Sequence, residues 1–260
     1  MTSSLEGKTA FVTGAGSGFG RAISHAFARS GAAVFAADID EAGLAETQAQ
    51  AAASKLTLQT AALDVTDEAS WDTALAHAFD GQSCDILVNN AGVAVIKSFS
   101  SMTLEDFQSV NSVNLIGAFM GAKAFIEKAR AAAGDEAARG SIINISSVTA
   151  KRILPGFSAY ATSKAALSNL TRALAVELGR KGDFFRVNAI APGLARTAMT
   201  EGFDETPWDE RDHSYLNTIP LSRYAQTQEV AKAALYLASE RSKFVTGYIL
   251  PVDGGLGDVG

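Results

Sequence analysis

The sequence predicts an α/β protein with a doubly wound parallel sheet of about seven strands and helices on both faces. Short apolar runs alternate with helical patterns along almost the whole chain. Most of these runs are continuously apolar, which is typical of parallel strands covered on both faces. A glycine-rich turn joins the first run to the first helical pattern. Because no linker or shift in composition divides the chain, we expect a single domain over residues 1–260.

Each predicted element follows from its own pattern. The predicted strands are Thr9–Val12, Ala33–Ala37, Leu58–Leu63, Ile86–Val88, Ile142–Ile145, Val187–Ile190 and Tyr248–Val252. The predicted helices lie between them, at about residues 19–30, 41–53, 67–80, 104–133, 159–181 and 228–240. A repeated strand–helix–strand order implies right-handed crossovers between parallel strands.

Composition excludes several classes of protein. The chain has 260 residues, 47% of them hydrophobic, and a formal net charge of −6, so nucleic acid and anionic membranes are not expected partners. No apolar run approaches the roughly 18 residues of a membrane span. The single cysteine, Cys84, cannot form an intrachain disulfide, which fits a reducing compartment and predicts a cytoplasmic protein. His25, His77 and His213 are scattered without metal-ligand spacing, and we expect no metal.

The first predicted strand runs into Thr13-Gly14-Ala15-Gly16-Ser17-Gly18-Phe19-Gly20, and a helix follows at once. Glycines at this point allow a tight turn and let backbone amides approach a phosphate, while the helix start adds partial positive charge. The placement between strand and helix favours a dinucleotide site. An ordinary glycine-rich loop is the alternative.

Asp38 ends the second strand, where a carboxylate can accept hydrogen bonds from a ribose diol and repel a 2′-phosphate. Neither Ser17 nor Ile39 offers a basic group to that phosphate, so we predict NAD(H) rather than NADP(H). Asp64 and Val65 follow the third strand and are predicted to meet the adenine edge. For Asp64 a helix cap or loop carboxylate is an equal alternative.

Polar residues also occur where apolar ones are expected. Asn89-Asn90-Ala91-Gly92 closes the fourth strand and suits a backbone that lies against a ligand, although turn chemistry explains it as well. Asn114 lies inside an apolar helical stretch, where its side chain competes for backbone hydrogen bonds.

Tyr160 and Lys164 are four residues apart and fall on one face of a predicted helix. A phenol with a pKa near ~10 becomes a base at neutral pH only if its pKa falls by about 3, roughly 4 kcal/mol. A buried lysine together with a second positive charge, such as an oxidised nicotinamide ring, could supply that energy. The alternative is a packed aromatic side chain beside a solvated amine.

Taken together, these motifs resemble the short-chain dehydrogenase/reductase family, and the resemblance runs from about Gly7 to Gly255. It is carried by Thr13–Gly20, Asn89–Gly92, Asn114, Ser147, the Tyr160/Lys164 pair, and Pro192-Gly193 followed by Thr197. The family implies a Rossmann-type fold, a nicotinamide cofactor and a homo-oligomer, with a tetramer expected ahead of a dimer. The apolar excess of 104–133 and 159–181 also favours association.

The resemblance implies a role for each matched residue. Tyr160 would be the general acid/base, Lys164 would lower its pKa and bind the nicotinamide ribose, and Ser147 would hydrogen-bond the substrate oxygen. Asn114 would hold a water that connects Lys164 to solvent. Further residues are implied to fix the loop, the strand end or the carboxamide: Thr13, Asn90, Ile190, Pro192, Gly193 and Thr197.

Two segments are predicted to hold the substrate. The irregular stretch 194–222 is predicted as a lid, with Met199, Phe203 and Tyr215 as its apolar members; a solvated surface excursion is the alternative. The second wall lies between Ser147 and Tyr160 and contains Thr149, Ile153, Leu154 and Phe157. Apolar walls favour a bulky apolar alcohol over a sugar.

We therefore expect an NAD(H)-dependent oxidoreductase that interconverts a secondary alcohol and its ketone, on an aromatic, alicyclic or steroid-like substrate. The first alternative is a 3-oxoacyl-thioester reductase. A non-catalytic nucleotide-binding regulatory protein is the alternative from another class, against which the intact Asn114, Ser147, Tyr160 and Lys164 argue.

Overall fold

The structure is a computed structural model that describes residues 4–80, 83–180, 182–195 and 217–257. In the described part of the chain, a 7-stranded parallel sheet has the order β3-β2-β1-β4-β5-β6-β7. The strands are β1 (Thr9–Thr13), β2 (Ala33–Asp38), β3 (Gln59–Ala62), β4 (Ile86–Asn89), β5 (Arg139–Ile145), β6 (Phe184–Pro192) and β7 (Ile249–Val252). The predicted α/β class is confirmed, and every predicted strand is present.

Helices cover both faces of this sheet. They are α1 (Gly18–Arg29), α2 (Glu41–Ala53), α3 (Glu68–Phe79), α4 (Leu104–Asn111), α5 (Ala118–Ala133), α6 (Ser158–Arg180) and α7 (Thr227–Ala238). Short 3₁₀ turns occur at Val148–Ala150 and Glu240–Ser242. In the ranges that the structure describes, no helix is both long enough and apolar enough to span a bilayer.

Consecutive strand residues face opposite sides of the sheet, which explains the continuously apolar runs. Val12 and Ile143 pack in one core cluster with the buried residues of α1, α2 and α7. Their neighbours Phe11 and Ile142 pack in a second cluster with those of α3, α5 and α6. In a strand that is buried on both faces, a polar side chain destabilises the fold at every position unless it finds a hydrogen-bond partner.

The predicted helix over 104–133 is wrong at its centre. A π-helical turn, Ser112–Gly117, separates α4 from α5. Two contacts account for it: the Asn114 side chain bonds to the backbone of Val93, and Gly117 packs so closely on Val65 that a Cβ atom there would lie 3.0 Å from the Val65 carbonyl oxygen. The wider turn places Asn114 inward, as π turns at functional sites do.

Strand order reverses between β1 and β4, whose chain connections run to opposite sides of the sheet. At such a switch point, the carboxyl ends of neighbouring strands leave a crevice that binds ligands. The segments that follow β1, β2, β4, β5 and β6 all reach this edge, and they carry the predicted site residues.

Candidate active site

A cavity of about 510 Å³ opens at this edge of the sheet, within the size range of small-molecule sites. Most of the predicted site residues line it: Gly14, Ser17, Gly18, Phe19, Asp38, Ile39, Asp64, Val65, Asn90, Ala91, Gly92, Ser147, Thr149, Leu154, Phe157, Tyr160, Lys164, Pro192 and Gly193. The fold therefore brings motifs separated by up to about 180 positions into one cleft.

Several other predicted residues lie behind the wall. Thr13, Gly16, Gly20, Asn114 and Ile190 support the lining rather than form it. The predicted contacts of Thr197, Met199, Phe203 and Tyr215, and most of the lid over 194–222, lie outside the described residues.

Ile153 is a wrong prediction, because its side chain is 69% exposed and does not line the cavity. Its neighbours Arg152 and Leu154 are partly buried. Exposed and partly buried residues thus alternate around Ile153.

The turn after β1 is held by hydrogen bonds to the end of β4. The Thr13 hydroxyl accepts from the backbone amides of Asn90 and Ala91, both at 3.0 Å, and the Asn90 amide donates to the carbonyls of Thr13 and Gly14. A Cβ atom on Gly20 would collide with the Gly14 carbonyl oxygen. Only glycine at position 20 lets α1 start this close to the turn.

Helix α1 begins at the cavity without a cap. Within the described residues, Ser17 makes no side-chain capping hydrogen bond, and the first turn of α1 contains no acidic residue. The first amides of the helix, with their partial positive charge, thus remain available to an anion. The residues fit a dinucleotide pyrophosphate at this position.

The Asp38 carboxylate lies at the far end of the same turn. It accepts hydrogen bonds from the Gly16 amide at 2.8 Å and the Asp40 amide at 3.0 Å. Arg21 packs behind the turn, where its guanidinium bonds the Gly16 carbonyl and Glu46. That ion pair lowers the pKa of Glu46 through the hydrogen bond and charge of Arg21.

Asp64 lines the cavity, but its carboxylate also accepts from the Thr66 amide at 2.8 Å and the Thr66 hydroxyl at 2.7 Å. The loop role that the sequence left open is thus present in the structure. The carboxylate's remaining lone pairs stay available to a ligand.

At the other end of the cavity, the Ser147 hydroxyl faces the Tyr160 phenol closely enough to favour the ionised form of that phenol. The Ser147 hydroxyl also accepts from the Thr149 hydroxyl at 2.9 Å and from the Thr149 amide at 3.2 Å. These two bonds fill the acceptor positions of Ser147, so its own proton is directed towards the Tyr160 oxygen, on the cavity side of the serine. Phe157 contacts the Tyr160 ring edge to face, with centroids 6.1 Å apart.

Lys164 is buried, with 3% of its surface exposed, and its Nζ donates to the Ile145 carbonyl at 2.8 Å. Nζ lies 5.6 Å from the centroid of the Tyr160 ring. Burial lowers the pKa of Lys164 to about 8. Burial also raises the pKa of Tyr160, and the Ser147 hydroxyl opposes that effect. The buried amine by itself does not bring the phenol's pKa down, and the second positive charge that the sequence argument requires is still needed.

Asn114 has a fixed side chain. Its Oδ1 accepts from the Val93 amide at 2.8 Å, and its Nδ2 donates to the Val93 carbonyl at 2.9 Å and the Ser163 hydroxyl at 3.0 Å. Both amide hydrogens are used, and one Oδ1 lone pair remains. A Cβ atom on Gly92 would lie 3.1 Å from this oxygen and 3.3 Å from Lys164 Nζ. Gly92 thus lies between the Asn114 side chain and the Lys164 amine, where a larger residue would crowd both.

Comparison with known proteins supports the interpretation of this cleft. A family described as enoyl-(acyl carrier protein) reductase matches residues 14–257. The chain is 39% identical over 260 residues to L-2,3-butanediol dehydrogenase from Corynebacterium glutamicum, with 96% of this chain and 98% of the relative covered. The chain belongs to the short-chain dehydrogenase/reductase family.

Two further members of the short-chain dehydrogenase/reductase family differ in what they act on. A 3-oxoacyl-(acyl-carrier-protein) reductase, FabG, from Thermotoga maritima is 37% identical over 256 residues, covering 97% of this chain and 98% of its own. The crystal structure of a gluconate 5-dehydrogenase from Burkholderia cenocepacia J2315, in complex with NADP and tartrate, matches with a TM-score of 0.89 and 30% identity, covering 100% and 98% of the two chains. The predicted family is confirmed, and the protein is an oxidoreductase of the class that acts on CH–OH groups.

Several residues that line this short-chain dehydrogenase/reductase cleft were not predicted, Val93 and Leu256 among them. Val93 lines the cavity directly after Gly92, and Leu256 reaches it from the turn after β7. A signal for Leu256 was present in the sequence. Residues after Val252 must emerge at the same sheet edge as those after the other parallel strands.

Proposed function

We propose that the protein is an NAD(H)-dependent oxidoreductase that interconverts a secondary alcohol and its ketone. The observation that carries this proposal is the joint placement of Ser147, Tyr160 and Lys164 at one end of a cavity whose other end holds an uncapped helix start. The first end can move a proton at an oxygen atom, and the second can hold a dinucleotide.

Ser147 serves as a donor to the substrate oxygen. Because Thr149 donates two hydrogen bonds to the Ser147 hydroxyl, that hydroxyl is oriented before substrate arrives. A fixed donor stabilises developing negative charge without reorganisation during the reaction. Thr149, predicted as a substrate contact, acts in this proposal by positioning Ser147.

Tyr160 exchanges the proton with the same oxygen. When bound, NAD⁺ would supply the hydride acceptor and a positive ring charge beside the phenol. The raised pKa of Tyr160, caused by burial, keeps the free protein's phenol protonated. Reduction of a ketone requires the protonated phenol as the proton donor. Oxidation of an alcohol requires the phenolate, and a cationic neighbour favours that form by lowering the phenol's pKa.

The cofactor residues of the proposal follow the contacts already given. The α1 start and the Gly14–Gly20 turn would hold the pyrophosphate, and Asp38 would accept from the adenosine ribose. A carboxylate there repels a 2′-phosphate, and this favours NAD(H). Asp64 and Val65 would border the adenine, and Pro192 and Gly193 the nicotinamide.

The substrate of the proposal is apolar beside its carbinol carbon. The walls next to Tyr160 are formed by Val93, Ala94, Leu154 and Phe157. The butanediol relative is named for a small secondary alcohol. The proposal therefore requires a secondary alcohol, and the size of the pocket decides whether it carries an aromatic, alicyclic or steroid-like substituent.

A substrate and cofactor panel tests the proposal. Purified protein is assayed with NAD⁺ and with NADP⁺ on butane-2,3-diol, 1-phenylethanol, cyclohexanol and gluconate, and binding of NADH and NADPH is followed by fluorescence. We expect turnover of the apolar alcohols and stronger NADH binding. Turnover of gluconate alone would exclude the apolar substrate class, and equal affinity for both cofactors would exclude the role of Asp38.

A second candidate function is a 3-oxoacyl-thioester reductase, favoured by the 37% identity to the Thermotoga maritima enzyme. The same Ser147–Tyr160 pair would serve a ketone that carries a thioester. Acetoacetyl-CoA assayed with NADH and NADPH separates the two functions, because only the second predicts faster reduction of this ketone than oxidation of any alcohol in the panel.

Self-association is proposed from surface composition. Exposed apolar side chains project from the helical segment 104–119 and from α6: Leu104 at 72%, Ile116 at 49%, Phe119 at 48% and Val176 at 56%. Water-facing apolar groups at this density favour an interface. We propose a homotetramer, with a dimer as the alternative, and light scattering coupled to gel filtration measures which one forms.

A further inference from the structure

We propose that Leu256 determines which substituent the substrate can carry, and that Arg152 is the positioning residue that holds Leu256 in place. The inference rests on the proposed alcohol–ketone interconversion, and it assigns the wall of the pocket next to Ser147. Both residues lie outside the motifs that carry the chemistry.

Leu256 belongs to a turn, residues 253–257, that follows β7. The Asp253 carboxylate accepts from the amides of Gly255 at 3.0 Å and Gly257 at 2.9 Å. Gly254 and Gly255 have φ angles of +64° and +91°, a region that L side chains rarely adopt. The path of the turn is thus fixed by its own hydrogen bonds and by its glycines.

The turn is also packed tightly on its surroundings. A Cβ atom on Gly255 would lie 2.8 Å from Pro220 Cγ, and one on Gly193 would lie 2.7 Å from Asp253 Cα. Because β7 pairs with β6, the turn lies beside Gly193 and several strand spacings, each about 4.8 Å, away from Asp38 at the end of β2. Leu256 therefore sits at the proton-transfer end of the cavity.

The Leu256 side chain fills the corner of that end. It is 1% exposed and packs with Val148, Ile219 and Leu194, and it lines the cavity. Val148 directly follows Ser147, and Leu194 directly follows Gly193. Leu256 thus closes the space between the segment that carries the donor hydroxyl and the segment after β6.

Arg152 ties this corner to the predicted substrate wall. Its Nη1 donates to the Leu256 carbonyl at 2.8 Å, and it lies two residues before Leu154, which lines the cavity. A hydrogen bond from a charged donor is stronger than a neutral one. The bond joins two walls that are far apart in sequence and sets the depth of the Leu256 side chain.

Removal of the Leu256 side chain enlarges the pocket without touching a proton or hydride position. We therefore expect changes in the ratio of kcat/KM between large and small alcohols, with little change in the pH profile. One methylene group in an apolar pocket changes discrimination by about 10-fold or more.

The first experiment measures that ratio for 1-phenylethanol against butan-2-ol with NAD⁺. Leu256→Ala should raise it about 10-fold and Leu256→Phe should lower it. Arg152→Met, which keeps the stem and loses the donor, should shift the ratio in the same direction as Leu256→Ala, and Arg152→Lys should restore part of it. Leu237→Ala, a core change on α7 at a position that does not line the cavity, controls for loss of stability. Ratios within twofold of wild type in both folded Leu256 variants would overturn the inference.

The second experiment needs no turnover. Leu256→Cys is treated with a methanethiosulfonate, with Leu237→Cys as the buried control. Native Cys84 does not line the cavity, and burial raises the pKa of its thiol to about 12, so it contributes little labelling. We expect labelling at position 256 only, slowed at least fivefold by NADH with acetophenone or acetoacetyl-CoA, relative to NADH alone. Absent or unprotected labelling contradicts the inference. If the protein oxidises no alcohol but position 256 is still protected from labelling, the proposed function is wrong and the assignment of Leu256 to the pocket wall stands.

Discussion

The two ends of the cavity are built from different materials. The dinucleotide end consists mostly of backbone, the amides of the first turn of α1 and the Gly14–Gly20 turn. Its two carboxylates, Asp38 and Asp64, themselves bond backbone amides. The proton-transfer end consists of buried side chains, Ser147, Thr149 and Lys164, that bond to one another or to carbonyls. A binding end can rely on main-chain dipoles, whereas a reacting end needs groups whose protons can move.

The helix starts show the same division. Asp40 caps α2, Asp67 caps α3, and Thr103 with Asp106 forms a capping box on α4. Only α1, among these, begins at the cavity and has neither a side-chain cap nor an acid in its first turn. A cap contributes about 1 kcal/mol to helix stability, so α1 leaves that stabilisation to a ligand.

The largest effect is expected at the proton-transfer end. Tyr160→Phe should reduce kcat by about 10³-fold, because the acid/base group is lost, while the Kd for NADH stays within about twofold. Steady-state kinetics and NADH fluorescence measure the two. Tyr248→Phe, at a half-exposed position, is the matched control. A parallel loss of binding and turnover in Tyr160→Phe would mean that the two ends are not separable.

At the dinucleotide end we expect the opposite result: cofactor binding is weakened, while the pH dependence of turnover is kept. Gly20→Ala forces a collision with the Gly14 carbonyl, and the displaced turn should weaken NADH binding about 100-fold. The wild-type pH profile of turnover at saturating cofactor should be kept. Gly179→Ala on α6 is the control, since a Cβ atom there meets nothing within 4 Å. Unchanged binding in Gly20→Ala would show that the turn's backbone is not the binding surface.

The third prediction concerns the free energy of unfolding, which burial of the Lys164 amine lowers. The pKa of Lys164 falls from 10.5 to about 8 on folding, which corresponds to about 3 kcal/mol of destabilisation at pH 7. Lys164→Met should therefore raise the free energy of unfolding by about 2 kcal/mol at pH 7, after loss of the bond to Ile145. Below pH 8 the amine is protonated in both states and the difference is full. Above pH 8 only the unfolded state stays protonated, so the difference should shrink towards pH 10.

Urea unfolding of both proteins at pH 6, 7, 8, 9 and 10 measures this trend. Arg180→Met at the end of the same helix, at an exposed position, provides the control for loss of a surface charge. A stability difference that grows between pH 8 and 10 contradicts the burial effect.

The smallest effect is expected at Asp38. Asp38→Asn keeps the shape and an oxygen for the Gly16 amide but removes the charge, so the preference for NADH over NADPH should fall about 10-fold. The ratio of the two Kd values measures it. Asp40→Asn, which changes an exposed carboxylate two residues away, should leave the ratio unchanged. An unaltered ratio in Asp38→Asn would assign the cofactor choice to another group.

The sequence predicted the fold and most of the lining because both depend on local rules. Parallel strands end at one edge, so the residues after β1, β2, β4, β5 and β6 were expected together, and the structure brings them together. Ile153 was placed wrongly because the direction of one side chain in an irregular segment depends on the backbone's rotation there. The π turn at Ser112–Gly117 was missed because no local propensity distinguishes it from an α turn.

The electrostatics of Tyr160 could not be read from spacing. Four residues on a helix predicted that the phenol and the amine are neighbours, and they are, but Lys164 bonds the Ile145 carbonyl. Burial then raises the pKa of one group and lowers that of the other. Burial is a property of the whole fold, whereas helical spacing is a property of a single turn.

The π turn has a consequence for how this protein can change by insertion and deletion. Such a turn holds one residue more than an α turn, so loss of any single residue from 112–117 allows α4 and α5 to fuse into one regular helix. The fused helix gains ideal backbone bonds, yet the residues inside the former turn, Asn114 among them, take new directions around the helix axis. Asn114 would leave Val93 and Ser163 as a result. A one-codon deletion here would therefore make the helix regular and impair the enzyme. Selection for stability alone would remove the irregular turn.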